Sequence, residues 1–303
     1  MGILDDKVAI VTGGGRGLGR AHCLALAAAG ATVVVNDLGS GIHGERTGDS
    51  PADEVVAEIT GLGGQAVANH ASVTDWAATE AMVADTVAEF GRLDVIVNNA
   101  GIVRDRMLFS MTEAEFDAVI AVHLKGTFAL TRHACAYWRE ASKRGERVTG
   151  RVVNTTSGTG LFGNSGQSNY GAAKAGIAGL TVITALEMRK YGVTANAISP
   201  IATTRMTAGL PVGRSDAAEG DFDPGDPANA SGVVVYLASD AASWLTGQVL
   251  RIEGNRLNRL EGWTIAGVHP SRSGGALTPD ELIEAVPQLY GVAPAGRATG
   301  VGR

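Results

Sequence analysis

The stretch "VAIVTGGGRGLGRAHCLALAAAGATVVVND", residues 8–37, decides the fold. Its first five residues are a short apolar run of strand type. A helical pattern follows in "GLGRAHCLALAAAG", with Gly30 as its stop, and "TVVVND" (32–37) is a second strand. Between strand and helix lie Gly13, Gly15, Gly17 and Gly19, with Arg16 and Leu18 among them. Glycines at such a junction permit a tight turn and let backbone approach a pyrophosphate. The helix N-terminus adds N–H donors and the positive end of its dipole. A glycine-rich turn alone is ambiguous. The strand before it, the helix after it and an acidic residue closing the second strand favour a dinucleotide loop. That acidic residue is Asp37. Its carboxylate can accept from both adenosine ribose hydroxyls and would repel a 2′-phosphate, so the expected cofactor is NAD rather than NADP. Read alone, Asp37 is also an ordinary turn residue. Arg16 pulls the other way, because a basic residue in the loop can help hold a 2′-phosphate. Asp37 outweighs it by standing at the ribose itself, and Leu38 brings no compensating charge.

The alternation continues along the chain. A long polar, Gly-rich loop leads to a helix over 52–62, a strand at 65–70, a helix over 75–90 and a strand at 93–100. One long helix is expected over 113–140, with Thr112 as cap and Glu115 at capping-box spacing. Strands at 150–157, 193–200 and 248–254 alternate with helices reaching to about 191 and covering 227–239. Such alternation predicts an α/β fold: a single Rossmann-type doubly wound parallel sheet of about seven strands, with helices on both faces, over residues 1–255. From 256 the rhythm breaks. Residues 256–303 read as a C-terminal extension rather than an independent domain, with one short helix in "TPDELIEAVPQLY" capped near Thr278.

Composition sets outer limits. Hydrophobic residues are 45% and charged residues 18% of 303, enough for a sizeable core and against disorder. Forty-two glycines with 5% aromatics suit helices packed closely on a buried parallel sheet. The net charge of −6 carries no nucleic-acid footprint. Cys23 and Cys135 both fall in helices and read as small buried residues of a reducing compartment. The N-terminus lacks a basic stretch followed by an apolar one, and Asp6 stands where a myristoylation signal needs Ser or Thr. No apolar run approaches the length of a membrane span. The expectation is a soluble cytoplasmic protein with a small-molecule substrate, no metal, and neither nucleic acid nor membrane as partner.

Chemistry is concentrated in "NNAG" (98–101), Ser157 and "QSNYGAAKAG" (167–176). Ketone–alcohol exchange needs a proton donor or acceptor at oxygen. A free tyrosine, with pKa near 10, is a poor base at neutral pH, and a nearby ammonium lowers it. Lys174 follows Tyr170 by four residues and shares its helix face. Ser157 ends the fifth strand, where open α/β sheets place their ligands, and its hydroxyl suits a developing charge on a substrate oxygen. Each residue alone has an ordinary reading as a strand-end cap, a packed aromatic or a solvated lysine.

Taken in order and spacing, Thr12-Gly13-x-x-x-Gly17-x-Gly19, "NNAG", Ser157 and Tyr170-x-x-x-Lys174 resemble the short-chain dehydrogenase/reductase family over roughly residues 5–254. The resemblance implies hydride transfer between NAD(P) and an alcohol or carbonyl, with Ser157, Tyr170 and Lys174 catalytic and Lys174 also on the nicotinamide ribose. It implies cofactor contacts from Asn99, Ala100, Gly101, Thr155, Pro200, Ile201 and Thr203, with Ser72 and Val73 lining the adenine pocket. Pro200-Ile201 replaces the family's usual Pro-Gly, and "HASV" (70–73) lacks the Asp many members place near adenine. The largest departure is His123, in "VIAVHLKGTF", where most members have an Asn that holds a water of the proton relay. Imidazole can both donate and accept, so His123 joins the catalytic set; the plainer reading is a buried histidine bonded to a backbone carbonyl.

His123, "NDLG" (36–39), "RDRML" (104–108) and "TRM" (204–206) look like the (3R)-hydroxyacyl-CoA dehydrogenase part of peroxisomal multifunctional enzymes. This implies an NAD-dependent dehydrogenase of a hydroxyacyl-CoA thioester or a hydroxysteroid-like alcohol. An NADPH-dependent ketone reductase and a non-catalytic redox sensor are the competing readings. Arg104, Arg106 and Arg205 are candidate contacts for an acyl carrier, and 201–225 is the expected substrate lid. Family members pair through helices like 113–140 and 168–191, so a homo-oligomer, dimer or tetramer, is expected.

Overall fold

The computed structural model describes residues 2–45, 50–204, 221–262, 264–272 and 274–290. Among them, one sheet contains β1 (Val8–Thr12), β2 (Thr32–Asn36), β3 (Gln65–Asn69), β4 (Val95–Asn98), β5 (Arg151–Thr155), β6 (Thr194–Ile201), β7 (Val249–Glu253) and β8 (Arg256–Leu260). Their order is β3-β2-β1-β4-β5-β6-β7-β8. All neighbours up to β7 pair in parallel; β8 runs antiparallel to β7. Strand order reverses between β1 and β4. The connections leaving those two strands diverge there and open a crevice at the carboxyl ends.

The sheet has eight strands where about seven were expected. The extra one is β8, joined to β7 through Gly254 and Asn255, with Gly254 at φ +54°. Two residues of this type between two extended runs are a hairpin signal, which the search for β-α alternation passed over. The expected boundary at 255/256 falls inside this hairpin. Farther on, a helix runs over Pro279–Tyr290, with the Glu281 N–H donating to Thr278 Oγ1 at 3.3 Å.

Strand alternation supplies both cores. Val33 and Val35 face one side and Val34 the other, as period two requires. On the first side α1 (Gly17–Ala28), α2 (Pro51–Gly61) and α8 (Ser231–Ala238) bury Cys23, Leu26, Val55, Ile59 and Leu237. On the second side α3 (Trp76–Phe90), α5 (Gly126–Lys143) and α7 (Ser168–Met188) bury Met82, Leu130, Trp138 and Ala185. The Trp138 indole N–H donates to the Leu93 carbonyl at 2.6 Å. Both cysteines are free thiols.

Two expectations about helices are corrected. The single helix over 113–140 is α4 (Glu113–Ile120), a π-helical turn at Ala121–Lys125, and α5. The capping box of Thr112 and Glu115 is present. A π turn adds one residue to a helical turn without changing which residue types are apolar, so periodicity does not reveal it. The second correction concerns membrane spans. Residues 168–191 form a 24-residue helical stretch with mean hydropathy 1.2, long and apolar enough to cross a membrane. Here it packs on the sheet, with Asn169 and Lys174 among its buried residues.

Candidate active site

A cavity of about 640 Å³ lies at the carboxyl ends of the strands, across the point where strand order reverses. Gly13, Arg16, Gly17 and Leu18 line one part of it. Gly13 and Gly17 hold φ of +62° and +53°, which a side chain would strain. A Cβ on Gly13 would lie 2.8 Å from Ala100 Cα, and one on Gly19 would overlap the Gly13 carbonyl oxygen. The Arg16 side chain does not cap the first turn of α1, whose Gly17 and Leu18 face the cavity. Thr12 Oγ1 accepts from the N–H groups of Asn99 and Ala100 at 3.0 and 3.1 Å. Asn99 Nδ2 donates to the carbonyls of Thr12 and Gly13, both at 3.1 Å. The end of β4 is thereby fastened to the glycine loop.

Asp37 closes β2 and lines the same cavity. Its two carboxylate oxygens accept from the N–H groups of Gly15 and Gly39, each at 2.9 Å. A Cβ on Gly15 would lie 2.8 Å from Asp37 Oδ2, so glycine is what allows the approach. Ser72, Val73, Asn99, Ala100 and Gly101 complete this wall.

At the other part Tyr170, Lys174, His123 and Thr155 meet. Ser157 ends the segment after β5 and caps α6 (Gly158–Phe162), its Oγ accepting from the Thr159 N–H at 3.2 Å. The Ser157 hydroxyl stands on the Tyr170 phenol side of the site, where it favours the ionised phenol. Lys174 Nζ donates to the Thr155 carbonyl at 2.6 Å and lies 5.5 Å from the Tyr170 ring centre. Burial lowers the Lys174 amine to about 7. Burial also pushes the Tyr170 phenol up to about 12, with Ser157 opposing the shift. The lowering of Tyr170 expected from Lys174 is therefore corrected: desolvation sets the direction of the shift, and Ser157 is the group that opposes it. The His123 ring stands edge-on to Tyr170, centroids 5.1 Å apart. Its Nε2 lies 2.8 Å from the Ile102 carbonyl oxygen and 3.1 Å from the Ile102 N–H, while its buried Nδ1 has no partner among the described residues. Burial, then the charge of Lys174, lowers this imidazole to about 3, so the ring is neutral.

The family profile described as short chain dehydrogenase matches residues 7–211. This chain belongs to that family. It is 48% identical over 253 residues to the hydroxyacyl-CoA dehydrogenase ChsB1 of Mycobacterium tuberculosis, covering 83% of this chain and 78% of that protein. It is also 48% identical over 203 residues to the mouse peroxisomal multifunctional enzyme type 2, covering 67% of this chain and 26% of that enzyme. The crystal structure of a short chain dehydrogenase from Mycobacterium avium matches with TM-score 0.85 and 51% identity, over 96% of this chain and 97% of the other. The protein is thus an oxidoreductase of the short-chain dehydrogenase family, whose cofactor is a nicotinamide dinucleotide. The glycine loop fits such a group, because Gly13 and Gly17 present bare backbone to the cavity beside the N-terminus of α1.

Within this short-chain dehydrogenase, several expected residues do not line the cavity. Gly15 and Gly19 lie behind the loop, and Ser157 reaches the site through Tyr170. Pro200 and Ile201 are in β6, and the Thr203 N–H donates to the Gly225 carbonyl at 2.7 Å; Thr204 is the cavity residue of that segment. Arg205 and most of the expected lid lie outside the described residues. Arg104 lines the cavity, whereas Arg106 pairs with Glu115 at 2.9 Å. Sequence reasoning missed the loop Ser40–Gly44, which also lines the cavity. It is tied across the opening to Val103, whose N–H donates to the Ile42 carbonyl at 3.0 Å and whose carbonyl accepts from His43 Nδ1 at 3.0 Å. Only its glycines hinted at this, because a loop has no periodicity to read.

Proposed function

We propose that the protein oxidises a 3-hydroxyacyl-CoA thioester, or a hydroxysteroid-like secondary alcohol, with NAD. The observation that carries this is Tyr170 with Lys174 5.5 Å from its ring centre, in one cavity with the glycine loop and Asp37, and with Ser157 acting on the phenol. When bound, oxidised nicotinamide accepts the hydride and brings a positive charge that favours phenolate. Tyr170 takes the proton from the substrate hydroxyl, or returns it in the reverse direction. Ser157 holds the substrate oxygen, and Lys174 holds the nicotinamide ribose hydroxyls. His123, neutral and with Nδ1 unpartnered beside Tyr170, completes the proton relay.

Five features support the details. Asp37 at the end of β2 favours NAD, since its carboxylate would repel a 2′-phosphate. The relative named as a hydroxyacyl-CoA dehydrogenase matches over most of its length. Arg104, a cation on the cavity wall, suits the phosphates of CoA. The two free thiols fit a cytoplasmic setting. The exposed Phe128 on α5 and Val182, Ile183 and Leu186 on α7 fit a homo-oligomer, tetrameric by our reading, which light scattering would test.

Steady-state NADH formation with (3R)-hydroxyacyl-CoA thioesters of graded chain length tests the substrate. Activity with some of them is expected. No turnover at any length, together with turnover of an unrelated alcohol, would reject it. Arg16 on the cavity wall favours the second reading, an NADPH-dependent ketone reductase. Tighter binding of NADPH than NADH would establish that reading over ours.

A further inference from the structure

The first turn of α7 contains a polar side chain that the reaction scheme leaves unused. Asn169 has no solvent exposure and directly precedes Tyr170. Its amide has one assignable orientation. Oδ1 accepts from the Tyr170 N–H at 2.7 Å, while Nδ2 donates to the carbonyls of Arg104 and Glu115 at 3.0 and 3.1 Å. Both amide hydrogens are used, so exchanging O and N would leave three mismatched contacts.

The Tyr170 N–H depends on this bond. A helix leaves its first N–H groups unpaired, and Gln167, the residue preceding α7, gives no side-chain cap. The carbonyl four residues before Tyr170 belongs to Gly166, and it accepts from the Arg106 N–H at 2.7 Å instead. The same amide reaches the segment after β4 through Arg104 and the first turn of α4 through Glu115. A parallel tie joins Gln167 Nε2 to Asp105 at 2.8 Å. Arg104 lines the proposed substrate end of the cavity.

We propose that Asn169 is a positioning residue: it sets where the Tyr170 phenol stands against the cavity wall by locking α7, α4 and the segment after β4 to one another. This rests on Tyr170 being the proton-transfer group. Losing the three bonds would take one partner from the Arg104 and Glu115 carbonyls and leave the Tyr170 N–H without its acceptor, and the turn that carries Tyr170 would shift to satisfy them. Displacement of a reacting group by about 1 Å costs on the order of a hundredfold in rate.

The test uses the full chain with two substitutions. Asn169→Leu keeps the volume and removes all three bonds; Asn169→Asp keeps the acceptor for Tyr170 and removes both donors. Expected is a fall in kcat of about a hundredfold for the first and about tenfold for the second. Dinucleotide affinity, read by fluorescence titration, should stay within about twofold in both, since the glycine loop is untouched. A purely structural role predicts a lower melting temperature with kcat unchanged in the folded enzyme, and that result would overturn the proposal. Should Asn169→Leu not fold, unchanged kcat in Asn169→Asp overturns it equally. Any alcohol the wild type oxidises serves as substrate, so failure on acyl-CoA thioesters alone would sink the substrate reading and leave this one standing.

Discussion

The two ends of the cavity are built on different plans. At the glycine-loop end, backbone does the work. Asp37 is satisfied by the N–H groups of Gly15 and Gly39, and Thr12 by those of Asn99 and Ala100. At the tyrosine end, side chains from the π turn and α7 are buried together, and their acid–base properties shift: Tyr170 up, Lys174 and His123 down. The contrast separates two tasks. Holding a dinucleotide needs fixed donors and space, which backbone N–H groups and residues without side chains provide. Moving a proton needs desolvated groups whose protonation can change.

Replacing Tyr170 by Phe is the sharpest way to separate the ends. It should cut turnover by about 10²–10⁴-fold while dinucleotide binding stays within a few-fold. Kinetics beside fluorescence titration check it, and equal losses in both would mean that the ends are not separate. Asp37→Ala should do the reverse. Affinity for the dinucleotide should fall by about 10–100-fold, because charge-assisted bonds to the glycine loop and the ribose go together. The loop also loses its clamp, so both dinucleotides should weaken; because the repulsion of a 2′-phosphate goes at the same time, NAD should weaken more than NADP and the preference should narrow.

Acid should distinguish the ends through stability. Burial lowers His22 to about 4, and burial with the Lys174 charge lowers His123 to about 3. Both lie below the ordinary histidine value of 6.5, so the unfolded chain binds these protons first. Their contribution is complete above about pH 6.5 and is lost as pH falls toward 3–4. Between pH 6.5 and 5 each should remove about 2 kcal/mol of stability. Urea titrations at the two pH values measure this, and His123→Asn should remove its own share. The smallest effect is expected at the rim: Arg104→Glu should raise the Michaelis constant for a CoA ester a few-fold, as a single exposed charge does, with kcat unchanged. No change in that constant would remove Arg104 from CoA recognition.

Legibility followed the same division. The glycine loop is one continuous stretch whose chemistry is local, so residues 8–37 displayed both its strand–helix context and Asp37. The sheet was legible for a related reason: buried parallel strands are apolar runs, and β1, β4 and β5 are buried throughout. β8 escaped because it is a partly exposed edge strand with polar residues, recognisable only by its two-residue turn. Asn169 escaped because its partners lie 65 and 54 residues away. An asparagine beside a tyrosine says nothing of carbonyls that arrive from elsewhere in the chain.

Residue order by itself determined the α/β alternation, the dinucleotide loop and the Tyr170–Lys174 pairing, because each depends on neighbours within a turn or a strand. Only the tertiary structure decided that Tyr170 is held high rather than low, that His123 lies in a π turn with a free Nδ1, and that Asp37 clamps the loop it was expected merely to face. Those are consequences of burial and of contacts between distant segments, and desolvation is a property of the packed whole rather than of any stretch of sequence.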